Sequence, residues 1–167
     1  MAKLLRRLAL LFALTGVASA ALVALTVVLS ISGRALLGRA LQGDVEITQF
    51  GIALCISLCL PWCQLRGANI LVDFFTQHLP EARIRLLDGF GALLVALMCA
   101  LLAWRTGVGA WAVRQAQETT MILELPMWWA YASLAPGLAL AALIAALQAV
   151  MHFRQQPMGV LQGEVQP

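Results

Sequence analysis

Apolar residues fall into four long blocks that charged positions interrupt only at their edges: Leu8 to Gly33, Ile47 to Leu65, Gly89 to Trp104 and Leu125 to Phe153. A hydrocarbon core of ~30 Å is crossed by roughly 20 helical residues, so the pattern predicts four transmembrane helices at about residues 8–33, 45–65, 86–106 and 126–153. The third block is the shortest. It is extended by Leu86 and Leu87, leaving Asp88 at the headgroups, and it continues past Arg105, whose long side chain can snorkel to the interface. The fourth holds Pro126 near its start and Pro136 inside, which predicts a helix beginning at about Pro126 and bending near Pro136, where neighbouring helices can satisfy the freed carbonyl.

Between the second and third blocks lies GANILVDFFTQHLPEARIRLLD, whose bulky positions Ile70, Leu71, Phe74, Phe75 and Leu79 make one stripe of a 3.6-residue helix. Asp73, Thr76 and Gln77 take the other face. The expectation is an amphipathic helix over about residues 69–78 lying in the interface plane, or packed on a partner's surface. Pro80 suits the first turn of a new helix and Glu81 its positive end, so a helix running into the third span is expected from there. The whole is read as an all-α membrane protein with one four-helix domain, residues 1–155, and a short flexible tail, 156–167.

Charge sets the expected orientation. Lys3, Arg6, Arg7, Arg66, Arg83, Arg85 and Arg154 fall on the side of the termini, against Arg34, Arg39, Arg105 and Arg114 on the other, which favours cytoplasmic N- and C-termini. AKLLRR followed by LALLFALTG and ASA has the shape of a signal peptide cleaved after Ala20, but ALVALTVVLSI continues without a charge, as an uncleaved anchor would. A chain that is 62% hydrophobic and 11% charged fits a membrane protein, and its net charge of +3 is too scattered to suggest nucleic acid.

Candidate chemistry is sparse. Cys55, Cys59 and Cys63 recur every four residues and Cys99 lies in another span; without a CxxC pair they read as small packing residues, with a membrane oxidoreductase as the alternative. His78 and His152 sit on different elements, and no Ser/His/Asp or HExxH arrangement is present, so no enzyme, cofactor or metal is expected. Carriers keep ionisable groups near the bilayer midplane, whereas Glu46, Asp88, Arg105 and Glu124 all lie at span edges. That argues against a self-sufficient homodimeric transporter. Mid-span Thr15, Ser19, Thr26, Ser57 and Ser133 are expected to bond to their own helices or to bridge helix contacts. Gly16, Ala20 and Ala24, and Ala135, Ala139, Ala142, Ala146 and Ala149, are expected to let helices approach closely. Trp128, Trp129 and Tyr131 are headgroup anchors at the start of the fourth span, preceded by Glu118, Thr119 and Thr120.

Three stretches taken in order resemble a known family: Glu46 after the first outer loop, GANILVD followed by LPEARIRLLD, and ETTMILELPMWWAYASLAPG. They resemble the small membrane subunit of tripartite ATP-independent periplasmic (TRAP) transporters, the DctQ-like family, over nearly the whole chain. The family's G-x-H-I-x-V-D is met here with Asn69 at the histidine position and Asp73 at the aspartate, and of its N-x-x-x-R-Y the segment SISGRAL keeps Arg34. The resemblance implies a non-catalytic subunit of the bacterial inner membrane that scaffolds a large permease subunit, in which the substrate and sodium sites reside. A periplasmic binding protein delivers the organic anion. Candidate anchoring or subunit-interface residues are then Glu46, Asn69, Asp73, Asp88, Trp128, Trp129 and Tyr131. Arg34, Arg39, Glu118 and Thr119 form the candidate periplasmic docking surface.

Overall fold

The computed structural model describes residues 2–38, 42–66 and 81–154, and these form four helices without a β-sheet: α1 (Ala2–Leu37), α2 (Asp44–Arg66), α3 (Glu81–Gln115) and α4 (Trp128–Phe153). All four are long and apolar enough to cross a membrane. The expected amphipathic helix over 69–78, with Asn69 and Asp73, lies outside the described residues, as do Arg39 and the tail 156–167.

Helix ends follow from local chemistry. Gly38, just past α1, has φ +65°, the left-handed conformation that closes a helix at low cost when no Cβ is present. Asp44 and Glu46 occupy the first turn of α2, where the helix dipole favours anions, and Arg34, Arg66 and Arg114 occupy last turns, where it favours cations. The α3 helix begins directly after Pro80, at Glu81. At 36 and 35 residues, α1 and α3 are roughly 50 Å long and overreach a ~30 Å hydrocarbon core.

Pro126 does not open the fourth helix. It forms an isolated antiparallel bridge with Thr119, while the Met127 amide donates to Glu118 O at 3.0 Å and the Thr120 amide to Leu125 O at 2.9 Å, so residues 118–127 close as a small hairpin and α4 starts at Trp128. A proline has no amide to give, and a hairpin position without a donor duty suits it as well as a helix first turn does.

The helices pack in the order α1, α2, α4, α3, with α2 and α4 central. Each neighbouring pair has its own seam. Gly16 of α1 lies against Cys59 and Cys55 of α2, and Gly51 of α2 against Val23 of α1; Gly137 of α4 lies on the Ser57 backbone of α2. Gly89 of α3 meets His152 and Phe153 of α4. Two turn ends, the 38–43 connection and the 116–127 hairpin, share one end of the row, here called the loop end. The opposite end carries the starts of α1 and α3 and the ends of α2 and α4.

The small-residue stripe expected along α4 coincides with the buried one only in part: Ala149 is buried and Ala135 and Ala142 are half-buried. Gly137, Ala141, Ile144, Ala145, Gln148 and Ala149 are buried, whereas Ala139 and Ala146 are exposed. In α1, Gly16 packs as expected but Ala20 and Ala24 face outward. Small residues occur on several faces of these helices, and spacing alone does not select the face that meets a neighbour.

Candidate functional site

Side-chain hydrogen bonds tie α2 to α4 and to the hairpin that precedes it, at three heights. At the loop end, the Glu46 carboxylate in the first turn of α2 accepts from the backbone amides of Ile122 (2.8 Å) and Leu123 (3.0 Å). Two orphan amides of the hairpin thereby find a charged acceptor, a stronger bond than a neutral one. Leu123 also covers Gly43, whose φ of +77° and lack of a Cβ leave room for the leucine side chain. The Thr120 hydroxyl accepts from the Leu125 amide at 3.0 Å, which ties the hairpin to itself.

At mid-height, each of the two helices carries a proline. Pro61 in α2 removes the amide that would bond the Ser57 carbonyl four residues back, and Pro136 in α4 does the same for Ala132. Ser57 sits at the crossing: its hydroxyl donates to Leu134 O at 2.8 Å, and its freed carbonyl faces Gly137, where a Cα–H can point at it. Ser57 thus bridges the two helices near Pro136, on the carbonyl of Leu134 and not on the Ala132 carbonyl that the proline frees.

At the far end, Gln64 and Gln148 are both buried and clasp each other. Gln64 Nε2 donates to Gln148 Oε1 at 2.8 Å, and Gln148 Nε2 donates to the Gln64 backbone carbonyl at 2.8 Å. That carbonyl belongs to the last turn of α2, which has no intrahelical donor left, so a side chain from α4 caps α2. Neither glutamine stands out in the sequence: they lie 84 positions apart, each alone in an apolar run, and only the fold brings them together.

The α1–α2 seam adds three more bridges, one of them from the Cys59 thiol to Ala13 O at 3.9 Å. Ser19 donates to Gly51 O at 3.0 Å, and Ser30 donates to Asp44 Oδ2 at 2.6 Å, close to the Arg34 charge. Thr15, Thr26 and Thr106 bond back to carbonyls of their own helices. The cysteines are free thiols, and Cys59 lies against Gly16 in the packed seam.

The remaining candidates spread over the surface. Trp128 takes the Arg114 guanidinium over its ring at 5.2 Å and meets Trp129 edge-on at 6.2 Å; Tyr131 lies beside Gly109. Arg66 covers Trp62 at 5.0 Å at the other end, a cation–π contact the sequence does not announce. Glu118 and Thr119 are exposed on the hairpin, Arg34 is exposed on α1, and Asp88 is half-buried near the start of α3. Of the anchoring candidates, Glu46 alone is joined to another element by hydrogen bonds among those the structure gives. Among the described residues no three His, Cys, Asp or Glu side chains are placed to hold a metal ion.

A family model described as tripartite ATP-independent periplasmic transporters, DctQ component, matches residues 23–155, from the middle of α1 to the end of α4. No curated protein and no solved structure matches the chain. The match to a transporter component favours neither the redox reading of the cysteines nor a self-sufficient exporter.

Proposed function

This chain belongs to the DctQ component family of the tripartite ATP-independent periplasmic transporters, the small membrane subunit of a multi-pass inner-membrane system, and from that premise we propose that it is an immobile scaffold. It holds a large permease subunit that performs sodium-coupled uptake of an organic anion delivered by a periplasmic binding protein. The observation that carries the reading is the set of bonds that fix α2 from one end to the other, Glu46 to the hairpin that precedes α4, and Ser57 and the Gln64–Gln148 pair to α4 itself. A subunit that rearranged internally during transport would have to break these bonds, and the latched α2 is what a fixed support for another subunit needs. Each bond between transmembrane helices contributes about 0.6 kcal/mol on average, so several together resist sliding while any one is dispensable.

In this reading the termini are cytoplasmic, the loop end faces the periplasm, and Arg34, Arg39, Glu118 and Thr119 belong to the surface offered to the binding protein. Asn69 and Asp73, with Asp88 and the Trp128, Trp129 and Tyr131 belt, anchor the chain to bilayer and large subunit. Affinity extraction of the tagged chain from native membranes in mild detergent tests it: a large polytopic subunit is expected to come with it, and deletion is expected to abolish organic-anion uptake. Recovery of the chain alone, with uptake intact after deletion, would sink the proposal. Asp73→Leu is expected to weaken co-purification more than Gln77→Leu; equal recovery by both would remove Asp73 from the anchor.

A further inference from the structure

A groove of about 590 Å³ opens along α1 and α2 at the loop end, lined by Thr15, Ala18, Leu22, Phe50, Leu54 and Trp129 among others. Four hydroxyls line it, and each is already spent: Thr15 on Phe12 O, Ser19 on Gly51 O, Thr26 on Leu22 O and Ser133 on Ala130 O. A polar ligand would find no free donor among them. The other side-chain donor in the lining, the indole N–H of Trp129, sits at the rim, so the body of the groove suits an apolar occupant.

Its length narrows the choice. On α1 the groove runs from Thr26 down to Thr15, about 16 Å at the helical rise, which is half of a ~30 Å hydrocarbon core. Its rim at the loop end is made by Ile47, Leu125 and Trp129, where an indole favours the headgroup level. The groove thus reaches from one interface to the midplane, the depth of a single leaflet. A transmembrane helix spans the full ~30 Å, about twice the groove's length, so a partner helix would run on past the groove's inner end. The chain itself offers no substitute: α2 and α4 end at Arg66 and Phe153, away from the groove's rim, and a tail reaching it would have to carry Gln155, Gln156 and Glu164 through hydrocarbon.

We propose that this groove is a binding site for one acyl chain of a phospholipid from the loop-end leaflet, held between α1, α2 and the start of α4. The proposal goes beyond the scaffold reading and is independent of the transported substrate. Bound there, the chain fills the wedge that the three helices leave open and adds apolar contact to the α1–α2 seam.

The test uses the chain extracted with whatever subunits it holds, reconstituted in phosphatidylethanolamine–phosphatidylglycerol vesicles that contain a phospholipid with a diazirine in its tail. After detergent exchange, the sample is illuminated and adducts are mapped by mass spectrometry. Adducts are expected at Leu22, Phe50 and Leu54 after they have vanished from Leu25 and Val28, which are exposed on α1 outside the groove. Ala18→Phe, which fills the groove, is expected to lower those adducts severalfold, whereas Ala21→Phe, exposed beside it, leaves them unchanged. Loss of groove adducts together with those at Leu25 and Val28 would mean ordinary surrounding lipid and overturn the proposal. So would labelling of Leu25 and Val28 with none in the groove before exchange, the result expected if a partner helix or a second copy sits there, or equal groove labelling in Ala18→Phe.

Discussion

Gly137 has a carbonyl oxygen, a hydroxyl and a carbonyl carbon of Ser57 where its Cβ would be, and two of these are backbone atoms that cannot rotate aside. Adding one methyl group there forces α2 and α4 apart. Gly137→Ala is therefore expected to destabilise by about 1–3 kcal/mol, the usual range for overpacking, even though alanine favours helix. Ser57→Ala removes a hydrogen bond and leaves the close approach intact, so it is expected to cost about 0.6 kcal/mol and no more than about 1.7. Unfolding of both variants in mixed micelles, followed by helical circular dichroism, checks the order; a Ser57→Ala loss as large as that of Gly137→Ala would show that the hydroxyl, not the close approach, holds the crossing. At this scale the sequence is legible where chemistry is unusual for its surroundings. Glu46, a carboxylate at a span edge, reads as an anchor and proves to be a latch. Gln64 and Gln148 look like two unrelated polar interruptions, because their pairing depends on helix order.

The hairpin after α3 shows how an element can be specified against local preference. Gln117 has φ +53° and closes α3 as glycine usually does: the Glu118 amide donates to Val113 O and the Gln117 amide to Arg114 O, the paired bonds of a Schellman end. Its side chain adds a bond to Arg114 O at 2.8 Å. A left-handed conformation costs a residue with a Cβ roughly 1–2 kcal/mol, so Gln117→Gly is expected to stabilise the folded chain by up to about 1 kcal/mol after the lost side-chain bond, read in the same unfolding assay. A destabilised variant would mean that the glutamine side chain outweighs the strain. Glu46→Leu removes the acceptor for two hairpin amides. Hydrogen exchange is expected to speed up at Ile122 and Leu123, while the Met127 amide, bonded within the hairpin to Glu118 O, changes less. Uniform acceleration across 118–127 would instead mean that Glu46 holds the whole hairpin. Element existence is readable from blocks of apolar residues and from Pro80 and Glu81. The start of α4 is misread by two residues, because Pro126 serves equally well in a hairpin and only the bridge to Thr119 decides between them.

On the scale of the whole molecule, the row α1, α2, α4, α3 buries little and exposes much, with Leu22, Leu25, Leu97, Leu101 and Leu143 among its outward-facing side chains. Such a shape suits a subunit whose faces are completed by lipid and by a larger protein. Membership of a family and the number of spans are visible in the sequence, since both depend on patterns along the chain. The order of the helices is not, because glycines and alanines offer several plausible faces and the polar clasps that choose among them join residues more than seventy positions apart. That order makes α2 and α4 a rigid core. The most direct measurement places spin labels on exposed Ile56 of α2 and Leu143 of α4 in the intact transporter in vesicles, and records their distance distribution by pulsed electron resonance with and without sodium, substrate and binding protein. A single narrow distribution, unchanged across all conditions, is the predicted result. A second distance that grows in when sodium and substrate are present would contradict the account, because the seam would then move with the transport cycle.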